Sequence, residues 1–526
     1  MRDFHLPGRA PVFAANGICA TSHPLAAKIA VDTLQAGGNA VDAALAGAVL
    51  LGICEPQMTG IGGDLFALVK PAGTEEIVAL NGSGRAPAGL SAAALRERGL
   101  QDIPVDTADA VTVPGAVDAV CTLAADYGLL GVEAILAPAI AYAQNGVPVA
   151  PRVALDWSGS AEKLQGGARN FYLSQGQPPQ TGQLFRHPQQ AEVLRRIAKE
   201  GRAGFYEGEI AEDMVASLRA LGGSHTLEDF AATRCDYTTP IRGDYKGLEL
   251  VEHPPNGQGA TAILLNNMLA QFDLPAMDPF GSTRAHIEIE AAKLAYDARN
   301  RFIADPDHMA RLDHMLSPET AAKLAALIDP DRAMPDPTAI SEAVHRDTIY
   351  ITVIDKDRMA VSLIYSIFHS FGSGLASDKY GILFQNRGAG FTLEAGHPNE
   401  AGAGKRPMHT IIPGMLRSDG RLSATFGVMG GQYQSCGHAR MVTNIVDFGL
   451  DPQAAIDAPR CFTEEGEMRV EKGYSDAVRQ ELSDMGHNVV VPQTGIGGAQ
   501  MIRIDHMNGV LEGASDPRKD GCAIGY

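Results

Sequence analysis

The sequence predicts a mixed α/β (α+β) fold with sheets sandwiched between helices, and three observations carry that prediction. Amphipathic helical patterns dominate to about residue 327. A proline- and aspartate-rich stretch without long apolar periodicity, residues 329–347, then reads as a linker. Beyond it the texture changes to short runs rich in β-branched residues, which read as strands.

The elements follow in order. "HPLAAKIAVDTLQAGGNAVDAALAGAVLLGICEP" has helical spacing, broken at Gly37-Gly38 and stopped near Pro56. The glycine loop in "TGIGGDLFALVK" leads into a strand. A phosphate cradle would need a helix and a P-loop lysine there, so the glycines read as close backbone packing. From Gly115 to Leu327 stretches such as "QAEVLRRIAKEG" and "AHIEIEAAKLAYDARNRF" carry apolar stripes ending in glycine or basic turns. "LELVEHPPNGQGATAILLNNMLA" reads as strand, turn, helix. After the linker, Thr348–Ile354 and Ala360–Ile367 form a hairpin turned at "DKDR". Further strands are expected at "GILFQN", "TIIPGML", "LSATFGV" and "AQMIRID", with helices at about 438–449 and 474–486.

Bulk properties narrow the function. The 526 residues can bury a large core, and 45% apolar with 20% charged residues is a globular composition. A net charge of -19 makes nucleic acid and anionic membranes poor partners, and the acidic excess, spread along the chain, reads as solubility. No signal-peptide core and no run of about 20 apolar residues is visible, so a cytoplasmic protein is expected. The seven cysteines are dispersed and form no CxxC pair, which argues for reduced thiols and against a metal or disulfide framework. No cofactor is implied.

The abrupt start of a strand at Thr348 raises a chemical possibility. A threonine hydroxyl is a poor nucleophile unless a base takes its proton. If the chain were cut between Asp347 and Thr348, the new α-amino group, with an ordinary pKa of about 7.7–8.0, could be that base. Read locally, Thr348 is an ordinary β-branched strand residue, and local sequence alone favours that reading.

Longer motifs bear on the choice. Thr348, Thr352-Val353-Ile354-Asp355-Lys356-Asp357, Ala360-Val361-Ser362 and Phe371-Gly372-Ser373-Gly374 occur in that order. So do "GGNAVDAALA", "EPQMTGIGGDLF", "VPGAVDAV", "GDYKGLELVEHPP", "GKRPMHTIIP", "GVMGGQ", "DAPR" and "GASDPR". Together they resemble the γ-glutamyltransferase (γ-glutamyl transpeptidase) family of N-terminal-nucleophile hydrolases over nearly the whole chain. The resemblance implies an αββα sandwich of two stacked sheets between helix layers. It also implies a precursor that cleaves itself into a helix-rich large subunit, 1–347, and a small subunit, 348–526. Thr348 would be the nucleophile, Ser366 its hydroxyl support, and Gly430 and Gly431 the oxyanion hole. The partners would be a small-molecule amide and the two subunits of one precursor.

The acyl pocket departs from the family pattern. Ser83 stands where the family has its carboxylate-binding arginine, with Arg85 two residues on. His409-Thr410 replaces a Ser-Ser pair. Phe368, Arg387 and Gly390 replace residues that greet an α-ammonium. A pocket that loses acceptors and gains a cation favours a carboxylate without an adjacent α-amine. Arg85 stands open between a surface turn and a substrate contact, Arg387 between substrate and a pair with Glu394 or Asp378, and His409 between packing and a substrate bond. Only thirteen residues separate Phe391 from Lys405, where many members carry a longer lid; a short one favours water over a second acceptor. The leading expectation is a self-processing amidohydrolase of a small carboxylated amide, oxamate-like or glutaryl-like. A true γ-glutamyl hydrolase or transpeptidase, and an inactive binding homologue, are the alternatives.

Overall fold

The structure, a computed structural model, describes residues 8–335 and 348–526. Two seven-stranded antiparallel sheets form its centre. The first runs Cys522–Gly525, Ile18–Thr21, Ile349–Ile354, Ala360–Ser366, Asp64–Lys70, Val78–Gly82 and Asp236–Thr238. The second runs Val12–Ala14, Val510–Ser515, Gly498–Asp505, Arg421–Met429, Gly414–Ser418, Leu248–Glu252 and Ile241–Tyr245. Helices cover both outer faces, giving the expected four layers.

The hairpin of Ile349–Ile354 and Ala360–Ser366 sits inside the first sheet, and every residue of both strands is buried. A strand covered on both faces needs no polar alternation, so its apolar run is continuous. Parity still assigns the faces. Ile349, Ile351, Val353, Val361, Leu363 and Tyr365 join the core beneath the helix layer. Tyr350, Ile354, Ala360 and Ile364 face the second sheet. Thr352 does so too, donating to Thr425 across the gap at 2.6 Å. Thr348 shares the parity of Tyr350, which puts a threonine at the mouth of the gap between the sheets.

The helix pair Pro24–Gln35 and Ala40–Cys54 breaks at Gly37-Gly38 as expected. Asn39 and Asp42 form a reciprocal capping box, and all of Ala40–Cys54 is buried against the hairpin sheet. The later helices occupy Gln434–Val446 and Asp476–Asp484, close to the expected spans. One expectation fails: "GILFQN" is not a strand, and only Leu383 bridges, to Ala376. The segment instead lies against the glycine loop, where Gln385 N–H donates to the Gly62 carbonyl at 3.1 Å. Tertiary contact with that loop takes the hydrogen bonds a strand partner would have supplied. Of the linker, residues 336–347 lie outside the described residues.

Candidate active site

The hairpin register pairs Ile349 with Tyr365, so Thr348 lies opposite Ser366, and their hydroxyl oxygens are 3.3 Å apart. Ser366 Oγ also accepts from Phe368 N–H at 2.9 Å and Arg387 Nη2 at 3.3 Å. The Thr348 and Ser366 hydroxyls are thus within hydrogen-bond reach of each other, and either can be the donor. Gly63 makes room for this corner: a Cβ there would lie 2.3 Å from the Ser366 carbonyl oxygen.

Arg387 is fully buried beside this pair. Its Nη1 donates to Thr410 Oγ1 at 2.9 Å, and the Phe368 ring lies 4.0 Å from the guanidinium. Phe368 holds a backbone φ of 76°, unusual for a bulky residue and typical of strained sites. Neither Glu394 nor Asp378 pairs with Arg387. Among the described residues no carboxylate touches it, and its buried Nε has no hydrogen-bond partner. Burial pulls its pKa down to about 9, opposed by the charge of Asp64, so it is still a cation at neutral pH.

Thr410 connects the guanidinium to the glycine turn. Gln258 Nε2 donates to the Thr410 carbonyl at 2.7 Å and to the Gly431 carbonyl at 3.1 Å, while its Oε1 accepts from Arg299 at 3.2 Å. Gly430 and Gly431, with φ of 127° and 55°, follow the strand Arg421–Met429. Gly431 opens a short 3-10 turn that runs into the helix Gln434–Val446. The first N–H groups of such a turn have no partner within it, which suits them to an oxyanion.

His409 is held on both sides. Its Nδ1 accepts from Ile411 N–H at 3.3 Å, so its Nε2 carries the proton and donates to Asp64 at 3.1 Å. Burial, reinforced by Arg387, drives its pKa to about 3 and keeps the ring neutral. Asp64 further accepts from Gly84 N–H at 2.8 Å and Gln385 Nε2 at 2.9 Å.

Thr348, Ser366, Arg387, Thr410 and the Gly430-Gly431 turn thus form one connected group. Arg85 is not tied into it: its Nη1 donates to Asp305 at 3.3 Å and to the Gly404 carbonyl at 3.0 Å, near the surface. Asp347 lies outside the described residues. Sequence reasoning passed over Asp64 and Gln258. An aspartate opening the fully buried strand Asp64–Lys70 was a visible signal; Gln258, in a turn between glycines, offered none.

A cleft of about 280 Å³ adjoins the site, lined by buried Phe368, His369, Arg299, Gln432 and Asn399, with the more exposed Thr392, Glu394 and His397 at its rim. The rim residues belong to the short segment 392–404, which Lys405 fastens by donating to the Pro398 and Glu400 carbonyls at 2.9 and 2.7 Å. Elsewhere, folding gathers His286, Glu290 and His487, which no sequence spacing revealed. His286 bonds the Asp329 carbonyl at 2.7 Å and His487 at 2.8 Å, and Glu290 pairs with Lys293 at 2.8 Å. Lys293 already supplies the cation, so the cluster reads as a structural clasp.

Four layers with a threonine heading a central strand define the class of N-terminal-nucleophile hydrolases. A family model described as gamma-glutamyltranspeptidase matches residues 26–526. The glutathione hydrolase-like YwrD proenzyme of Bacillus subtilis (strain 168) is 35% identical over 98% of this chain and 99% of its own. The oxamate amidohydrolase proenzyme of Klebsiella pneumoniae subsp. pneumoniae is 33% identical over 98% and 99%. The crystal structure of cephalosporin acylase from Bacillus halodurans superposes with a TM-score of 0.92 at 37% identity, covering 100% of this chain and 99% of that one. The chain belongs to the gamma-glutamyltranspeptidase family and is an enzyme of its Ntn-type amidohydrolase kind. Among the described residues no helix is long and apolar enough to cross a membrane.

Proposed function

We propose that this protein is a self-processing amidohydrolase that cleaves a small amide bearing a carboxylate but no neighbouring α-amine. One observation carries the reading: Arg387, a buried guanidinium without a carboxylate partner among the described residues, donates to the serine that faces Thr348. A buried cation left without an anion is costly, and a substrate carboxylate would offset that cost.

The chemistry begins in the precursor. Thr348 Oγ attacks the Asp347 carbonyl, the Asp347–Thr348 C–N bond breaks, and water hydrolyses the resulting ester. This leaves a carboxylate on Asp347 and a free α-amine on Thr348. In turnover that amine takes the hydroxyl proton as Thr348 attacks the substrate amide, and passes it to the departing amine. The N–H groups at Gly430 and Gly431 would hold the oxyanion, and Ser366 would steady the nucleophile. Water then cleaves the acyl-enzyme, and the short segment over the cleft leaves that step open to solvent.

A second reading, hydrolysis of γ-glutamyl substrates, draws support from the relative described as glutathione hydrolase-like. Denaturing electrophoresis tests the shared mechanism: the precursor should give pieces of about 37 and about 19 kDa. Thr348→Ala should give one uncut, inactive chain. A single wild-type band that turns over amide would refute the mechanism. A wild-type preference for γ-glutamyl anilide over glutaryl anilide and oxamate would replace the first reading by the second.

A further inference from the structure

We infer that the acyl group this enzyme prefers is very short, a carboxylate two or three carbons long counted from the amide carbonyl. This rests on the proposed contact between the substrate carboxylate and Arg387, and it separates the oxamate-like from the glutaryl-like substrates left together above.

The first support is which part of the guanidinium is available. Its Nη1 is committed to Thr410 Oγ1 at 2.9 Å. Nε and Nη2 share the opposite edge, where among the described residues Nε has no partner and Nη2 makes one 3.3 Å bond, to Ser366. That edge matches the two oxygens of a carboxylate, the side-on form of bidentate pairing. The ring of Phe368, 4.0 Å away, covers the guanidinium and fixes the plane in which such a fork would lie.

The second support is reach. Thr348 Oγ1 to Ser366 Oγ is 3.3 Å, and Ser366 Oγ to Arg387 Nη2 is also 3.3 Å. The nucleophile and the Nη2 end of the edge are therefore at most about 6.6 Å apart. With ordinary bond lengths and one hydrogen bond, a two-carbon acyl group on the threonine spans about 6 Å from that oxygen to the guanidinium nitrogen. A three-carbon group reaches about 7.5 Å extended and fits with one bend. An extended five-carbon group spans about 10 Å and would have to fold back on itself. Phe368, which faces both the guanidinium and the cleft, takes up the space such a fold would need.

The test is ammonia release by the self-cleaved wild-type protein from oxamate, malonamate, succinamate and glutaramate, with the uncharged diamides oxamide and malonamide beside them. The expected result is a kcat/KM at least tenfold higher for the two- or three-carbon acid than for glutaramate. Phe368→Ala should move the optimum toward the longer acids. Glutaramate equal to or better than the short acids, with acids still preferred to diamides, overturns the chain-length inference and leaves the carboxylate reading standing. Diamides preferred to acids, or no acid hydrolysed at all, overturns both.

Discussion

Two buried guanidiniums in this molecule are handled in opposite ways. Arg460 donates to the Asp516 carboxylate and to the Ile496 and Ile456 carbonyls. Burial pushes Asp516 up, but Arg460 and Arg518 outweigh it and hold the carboxyl below its usual range. Arg284, Arg406, Arg440 and Arg469 likewise meet carboxylates. Among the described residues Arg387 hydrogen-bonds the hydroxyls of Thr410 and Ser366 and no carboxylate, with Nε unpartnered. The contrast teaches what separates scaffold from site. A charge with a carboxylate partner inside the fold holds the fold, whereas one with none among the described residues, beside Thr348, has capacity left for a ligand.

The largest expected effect breaks the answered side. Arg460→Ala strips a buried pair of one partner and should cost about 3–5 kcal/mol of stability, read by denaturant unfolding. Arg387→Met should do the reverse. Tm should hold or rise, since an unpaired buried charge gives way to an apolar side chain, while kcat/KM for a carboxylated amide should fall on the order of 10³-fold. If Arg387→Met unfolds as readily as Arg460→Ala, the two arginines are alike and the contrast is gone.

Ser366→Ala sharpens the comparison at the hydroxyl between Arg387 and Thr348. Both self-cleavage and turnover should slow by roughly 10²-fold, as for other positioned polar groups, and Ser366→Thr should keep most activity. Wild-type rates in the alanine variant would remove Ser366 from the site.

The smallest effect concerns histidines buried neutral. His23, His187, His253 and His487 are lowered by burial to about 4, and His409 to about 3. Between those values and the unfolded value of about 6.5, the unfolded chain binds more protons, so stability is lost as pH falls through that window. Tm should decline steadily from about pH 6.5 downward. His409→Gln should flatten part of the decline; an unchanged slope would mean that this ring does not titrate on unfolding.

Much of this was legible in the sequence, because periodicity and turn chemistry are local. The hairpin around "DKDR", the helix break at Gly37-Gly38 and the strand following the glycine loop all appear where the pattern puts them. "GILFQN" misled because β-branched and aromatic residues in a short run record burial as readily as strand pairing. "DAPR" and "GASDPR" look as distinctive as the motif that opens on Thr348, yet they hold the Arg460, Asp516 and Arg518 network together.

The sequence by itself determined the order of helices and strands, the family, and the threonine at the head of a central strand. Each is written in neighbouring residues or in ordered motifs. Only the tertiary structure decided which charges are answered. Arg85 and Arg387 look equivalent on paper, but Asp305, 220 residues from Arg85, claims one, while among the described residues no carboxylate reaches the other. Asp64 could not be connected to His409 across 345 residues without coordinates. A partner's identity is a matter of distance in space, and sequence separation carries no record of it.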